Sequence, residues 1–141
     1  MKYWLVKSEP DVYPWAQLKK DKKTDWTGVR NFAARLHLLA MAKGDQVLFY
    51  HSNEGKEIVG LAQVTKTAFP DATVGKDEKG DWVAVELAPL QDLTEPVTLA
   101  AIKQEPVLKD MLLVRQGRLS VSPVTEKEFA AILKMGKTKL K

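Results

Sequence analysis

The chain has 141 residues, no cysteine, and 22 Lys+Arg against 18 Asp+Glu. That length fits one domain of roughly 100–200 residues, large enough to bury close to ~70% of its unfolded surface without a disulfide or metal staple. Zero cysteines exclude disulfide frameworks, Cys-ligated zinc and thiol catalysis. No all-apolar run is longer than Leu38–Ala42, far short of the roughly 20 residues of a membrane helix. Only Tyr3-Trp4-Leu5-Val6 separates Lys2 from Lys7, too little for a signal peptide. The expected location is therefore cytoplasmic.

Residues 2–7 read as an opening strand that breaks at Pro10, and Pro14 opens a short helix over 15–20. A charged loop, Lys19-Lys20-Asp21-Lys22-Lys23, follows. Val29, Phe32, Ala33, Leu36 and Ala40 recur at helical spacing, with Gly44 as a stop, which predicts a helix burying that face. Residues 46–52 and 57–67 form two strand-like runs joined by the turn Asn53-Glu54-Gly55. Residues 71–81 are a polar loop, and 82–87 (WVAVEL) a further strand. Leu99–Lys103 reads as a helical turn between Pro96 and Pro106, and 118–122 as a strand ended by Pro123. Thr125-x-x-Glu128 is a capping box opening a helix that buries Phe129, Ile132 and Leu133 and stops at Gly136. Short strands outnumber helices, which favours an α+β domain with a small curved sheet or barrel.

Signatures of catalysis are missing. Gly136-Lys137-Thr138 imitates the end of a phosphate-binding loop, but that loop needs Gly where Ala131 stands and a strand where a helix is expected. His37 and His51 have no carboxylate at metal-ligand spacing, so no metal site and no cofactor are expected. His37 is placed at the edge of a helix face, partly buried. No Gly-x-Ser-x-Gly elbow accompanies Ser8 or Ser52.

Four tryptophans stand out. Trp4 and Trp82 fall in strand-like runs and are expected in the core, and Trp15 is expected to pack on the sheet. Trp26 sits in the polar turn Thr24-Asp25-Trp26-Thr27-Gly28, before the helix carrying Arg30, Asn31 and Arg35. One reading makes it a stacking wall beside a helix N-terminus that favours a phosphate or base edge. The other makes it a plug at the barrel end, with Arg30 paired to a neighbouring acid. Tyr50-His51-Ser52-Asn53 adds groups able to read a base edge.

Lys7-Ser8-Glu9-Pro10, Trp26-Thr27-Gly28-Val29-Arg30-Asn31, Ala34-Arg35, Gly44-Asp45, Tyr50-His51-Ser52-Asn53, Ile58-Val59-Gly60 and Arg118-Leu119-Ser120-Val121 resemble the EVE-domain family, in order and over residues 2–133. The resemblance implies a single EVE domain there, a PUA-like mixed or antiparallel β-barrel flanked by helices and related to YTH domains, followed by a basic tail at 134–141. It implies a non-catalytic module that binds RNA or DNA and reads a flipped base, modified or not, with Trp26 as a pocket wall. The candidate contacts are Lys7, Ser8, Trp26, Thr27, Arg30, Asn31, Arg35, His51 and Ser52. Membrane binding is not expected, and oligomeric state is open. Two other readings stand beside it: a protein- or metabolite-binding module using the same cavity, and an enzyme acting on nucleotides or RNA with His51 as base.

The net charge of +4 equals the four tail lysines, Lys134, Lys137, Lys139 and Lys141, which are expected to be solvated. Residues 1–70 carry 11 basic and 7 acidic groups, and 71–133 carry 7 and 11. The acidic half is accordingly expected on faces turned away from a polyanion.

Overall fold

Trp4-Leu5-Val6 and Val47-Leu48-Phe49-Tyr50 are apolar without interruption because the strands they form are buried on both faces. In a computed structural model that describes residues 1–140, these are β1 (Tyr3–Ser8) and β3 (Gln46–His51), a parallel pair of interior strands in one six-stranded sheet. The crossover between them holds α1 (Trp15–Asp21), β2 (Thr24–Asp25) and α2 (Phe32–Ala40). Successive strand side chains point to opposite faces. Trp4, Val6, Val47 and Phe49 therefore pack with α1 and α2, while Leu5, Leu48 and Tyr50 join a second core.

That second core is closed by α3 (Leu99–Gln104), a 3-10 turn at Pro106–Leu108, α4 (Leu112–Arg115) and α5 (Glu126–Met135). The Thr125–Glu128 capping box forms as expected, and α5 buries Phe129, Ile132 and Leu133. Asn53 and Gly55 take positive φ in the turn joining β3 to β4 (Glu57–Pro70). β5 (Val83–Thr98) pairs with β4 through four register shifts, and such bulges bend and twist a sheet.

The strand order is β2-β5-β4-β3-β1-β6, with β6 spanning Val121–Val124. The fold is α+β, as expected, but the end strands β2 and β6 do not pair, so the barrel is open. Pro123 lies within β6 and does not end a strand at 118–122 as expected, because an edge position tolerates its missing N–H.

Two further expectations need correction. The face Phe32–Ala33–Leu36–Ala40 of α2 points outward, and the helix buries Ala34 and Leu38 instead. Both stripes have helical spacing, so periodicity does not separate them. The described tail lysines, Lys134, Lys137 and Lys139, are exposed as expected, but the segment that carries them is anchored to the fold. Helix α5 runs to Met135, and beyond it the buried Thr138 hydroxyl accepts from the Thr94 N–H at 2.8 Å and donates to the Gly136 carbonyl. Lys137 pairs with Glu95 at 3.2 Å. Lys141 lies outside the described residues.

Candidate functional site

Because the sheet does not close, a cavity of about 440 Å³ opens between its two edges. Lys7 and Ser8 at the end of β1, together with Ser120 just before β6, form one side. Thr24 and Asp25 of β2, and the turn from Trp26 to Arg30, form the other. Glu9, Val12 and Tyr13 line it from the β1–α1 turn. That turn is held by Ser8 Oγ, which donates to the Tyr13 carbonyl at 2.6 Å, and by Glu9, whose carbonyl accepts from the Val12 and Tyr13 N–H groups.

Trp26 is half-buried. Its ring meets Phe49 at 5.6 Å and Tyr13 at 6.1 Å, both edge to face. The other three indoles have internal partners. Trp4 donates to Asp45, Trp15 to Asp92 and Trp82 to the Lys79 carbonyl. The Trp26 indole N–H has no acceptor among the described residues, and its side chain lines the cavity. Trp4, Trp15 and Trp82 are buried, as the sequence led us to expect.

The turn after Trp26 is fixed by Asp71, whose side chain is fully buried. Its carboxylate accepts from the Gly28 N–H at 2.9 Å, from the Thr73 N–H and hydroxyl, and from Arg30 at 2.9 Å. Burial alone would raise this carboxyl, but the bonds from Thr73, Gly28 and Arg30 hold it well below the usual range. Gly28 has φ +82, which suits glycine at this turn. Arg30 also binds Glu78 at 2.6 Å. Two carboxylates thus neutralise the arginine beside the cavity, and the expectation that the acidic half faces away fails at Asp71 and Glu78. Lys7 donates to the Gly117 carbonyl at 2.6 Å, and partial burial lowers its pKa. An arginine outnumbered by its two carboxylates, and a single lysine sharing the lining with Glu9 and Asp25, suit a largely neutral guest better than a bare phosphate.

Five of the nine expected residues meet at this cavity: Lys7, Ser8, Trp26, Thr27 and Arg30. The other four do not line it. Asn31 is the N-cap of α2, its side chain accepting from the Ala34 N–H at 3.0 Å. Arg35 donates to the Asp81 carbonyl and lies 5.4 Å from the Phe32 ring. His51 Nε2 accepts from the Trp15 N–H at 3.0 Å. This satisfies a first-turn donor of α1 that the cap residue Pro14 leaves open. That bond requires a neutral imidazole, and burial lowers its pKa while Glu57 partly opposes the shift. A general base at Nε2 would have to give up the bond. Ser52 is tied by its N–H to the Ser8 carbonyl, and Tyr50 is buried in the second core. Tyr13 and Asp71 were missed by sequence reading. The adjacent Tyr13-Pro14-Trp15 aromatics were the available signal for Tyr13, while nothing in the loop spacing marks Asp71.

The family model of the EVE domain matches residues 2–135. The chain belongs to the EVE-domain family. Human thymocyte nuclear protein 1 is 32% identical over 94% of this chain and 73% of its own length. A crystal structure of human THYN1 protein in complex with 5-methylcytosine-containing DNA aligns with TM-score 0.85 and 29% identity, covering 99% of each chain. The NMR structure of Rpa0253 from Rhodopseudomonas palustris aligns with TM-score 0.90 and 49% identity, covering 97% of this chain and 94% of that one. An ASCH structure from Zymomonas mobilis shares the fold at TM-score 0.60 and 12% identity, covering 94% of each chain. This EVE domain is thus built on the PUA-like architecture that the resemblance implied.

Proposed function

We propose that this EVE domain is a non-catalytic DNA-binding module that takes a flipped base, a modified one such as 5-methylcytosine, into the cavity against Trp26. The single observation carrying the reading is Trp26 itself: the one indole N–H without an acceptor among the described residues belongs to a half-buried ring lining a cavity that carries no excess of positive charge. Base–aromatic stacking contributes about 1–3 kcal/mol per base, and the free indole N–H offers a donor to a base acceptor. The human relative's complex with 5-methylcytosine-containing DNA supports the choice of ligand.

Burying one extra methyl gains about 0.8 kcal/mol, roughly fourfold in affinity. Modest preference for the methylated base is the expected behaviour unless the site also strands a polar group when the methyl is missing. Trp26→Ala is expected to weaken binding of a single-stranded oligonucleotide carrying 5-methylcytosine by about 5- to 150-fold, read by fluorescence anisotropy. Binding equal to wild type would overturn the assignment.

A further inference from the structure

Phe32 is the first residue of α2, and 63% of it is exposed. Its ring stacks on Trp82 with centroids 5.1 Å apart and planes 27° off parallel. Trp82 is itself buried and anchored by its indole N–H to the Lys79 carbonyl at 3.0 Å. Phe32 is therefore an aromatic surface set on a fixed support, not a loose side chain. Two guanidinium groups border the Phe32–Trp82 pair. Arg35 lies 5.4 Å from the Phe32 centroid and 5.8 Å from that of Trp82. Arg30 lies 5.8 Å from the Trp82 centroid and also lines the cavity, so the two places share a residue. Their charges differ in a useful way. Arg30 is neutralised by Asp71 and Glu78, whereas Arg35 has no carboxylate partner among the described residues and donates only to a backbone carbonyl.

We infer that Phe32 is a second stacking platform, receiving the base next to the one flipped into the cavity, with Arg35 meeting the intervening phosphate. The inference rests on the base-reading function proposed above and extends it from one nucleotide to two. An exposed aromatic face beside an unneutralised cation matches a nucleotide, which joins a flat π-surface to a negative charge. Leu36 and Leu39 continue the exposed face of α2, at 59% and 50%. That stripe taken alone would fit a protein. The charge lies at its Phe32 end, adjoining the cavity, and this favours the nucleic-acid strand.

The test compares a short single-stranded DNA carrying 5-methylcytosine with the free nucleoside 5-methyl-2′-deoxycytidine, using wild type, Phe32→Leu, Leu36→Ala and Trp26→Ala. Leucine keeps an apolar cover over Trp82 and removes the π-face. Phe32→Leu is expected to weaken the oligonucleotide by about 5- to 150-fold and leave the nucleoside unchanged. An abasic site on one side of the methylated base should reproduce that loss and make Phe32→Leu silent. Leu36→Ala should change neither ligand. If Phe32→Leu binds the oligonucleotide like wild type while Trp26→Ala does not, the platform is wrong and the cavity stands. Equal losses in Phe32→Leu and Leu36→Ala would overturn the platform in favour of a general apolar face. Unchanged binding of both ligands by Trp26→Ala would overturn the underlying reading instead.

Discussion

Ser8, Asn31 and His51 have the hydrogen-bonding chemistry expected of base readers, yet in the fold each is occupied in building the scaffold. Ser8 ties down the β1–α1 turn, Asn31 caps α2, and His51 at the end of β3 caps α1. A sequence shows that such side chains have donors and acceptors, but not which backbone groups need them first. Trp26 is the opposite case. Its polar surroundings singled it out in the sequence, and the structure leaves its indole N–H unmatched among the described residues. Gly60 belongs to a motif shared with the family, although spacing alone gives no reason for glycine there. The structure supplies one: the Trp15 ring lies against its Cα, so a methyl would fall inside that ring's van der Waals envelope. Trp15 has little room to yield, because its indole binds Asp92 at 2.6 Å. Gly60→Ala is therefore expected to cost about 1–3 kcal/mol through overpacking, read as a lower midpoint in urea. An unchanged midpoint would show that the ring relaxes freely.

At the scale of elements, β1, β3, β4, the β3–β4 hairpin and the α5 capping box were legible because each depends on local pattern, whereas Thr24–Asp25 read as a turn, β5 only as far as residue 87, and β6 as residues 118–122. The orientation of α2 was not, since residues 32–41 carry apolar groups on more than one side and only packing against β4, β5 and β6 selects Ala34 and Leu38. The joints between elements rest on buried titratable groups. Asp45 accepts from Ala42, Trp4 and Lys2, and these bonds outweigh burial and lower its pKa. Asp71 is held low in the same way, while burial lowers His37 and, against Glu57, His51. A group depressed in the fold lends stability above its unfolded pKa and loses it as pH falls through the folded one. The histidine contribution is thus complete above the ordinary value of 6.5 and declines below it. That of the aspartates is complete above 3.8 and declines further down. Thermal melts across pH should show two successive losses, the first absent in a His37→Gln/His51→Gln variant. A melting temperature constant between pH 7 and 5 would contradict the histidine assignment.

For the molecule as a whole, net charge identified no site. The tail lysines that account for the +4 begin on a helix packed into the second core, and Lys137 pairs with Glu95. The acidic half contributes Asp71 and Glu78 directly beside the cavity. What locates the site is topology: a six-stranded sheet that curls without closing leaves a cavity between β2 and the β1–β6 edge, and Trp26 stands in it. The most direct test follows the four indole N–H resonances by NMR while a 5-methylcytosine oligonucleotide is added. The Trp26 resonance should move as its N–H gains an acceptor and its ring a stacked base. Those of Trp4 and Trp15, bonded to Asp45 and Asp92, should stay in place. Saturated binding with the Trp26 resonance unmoved would place the ligand elsewhere and contradict the account.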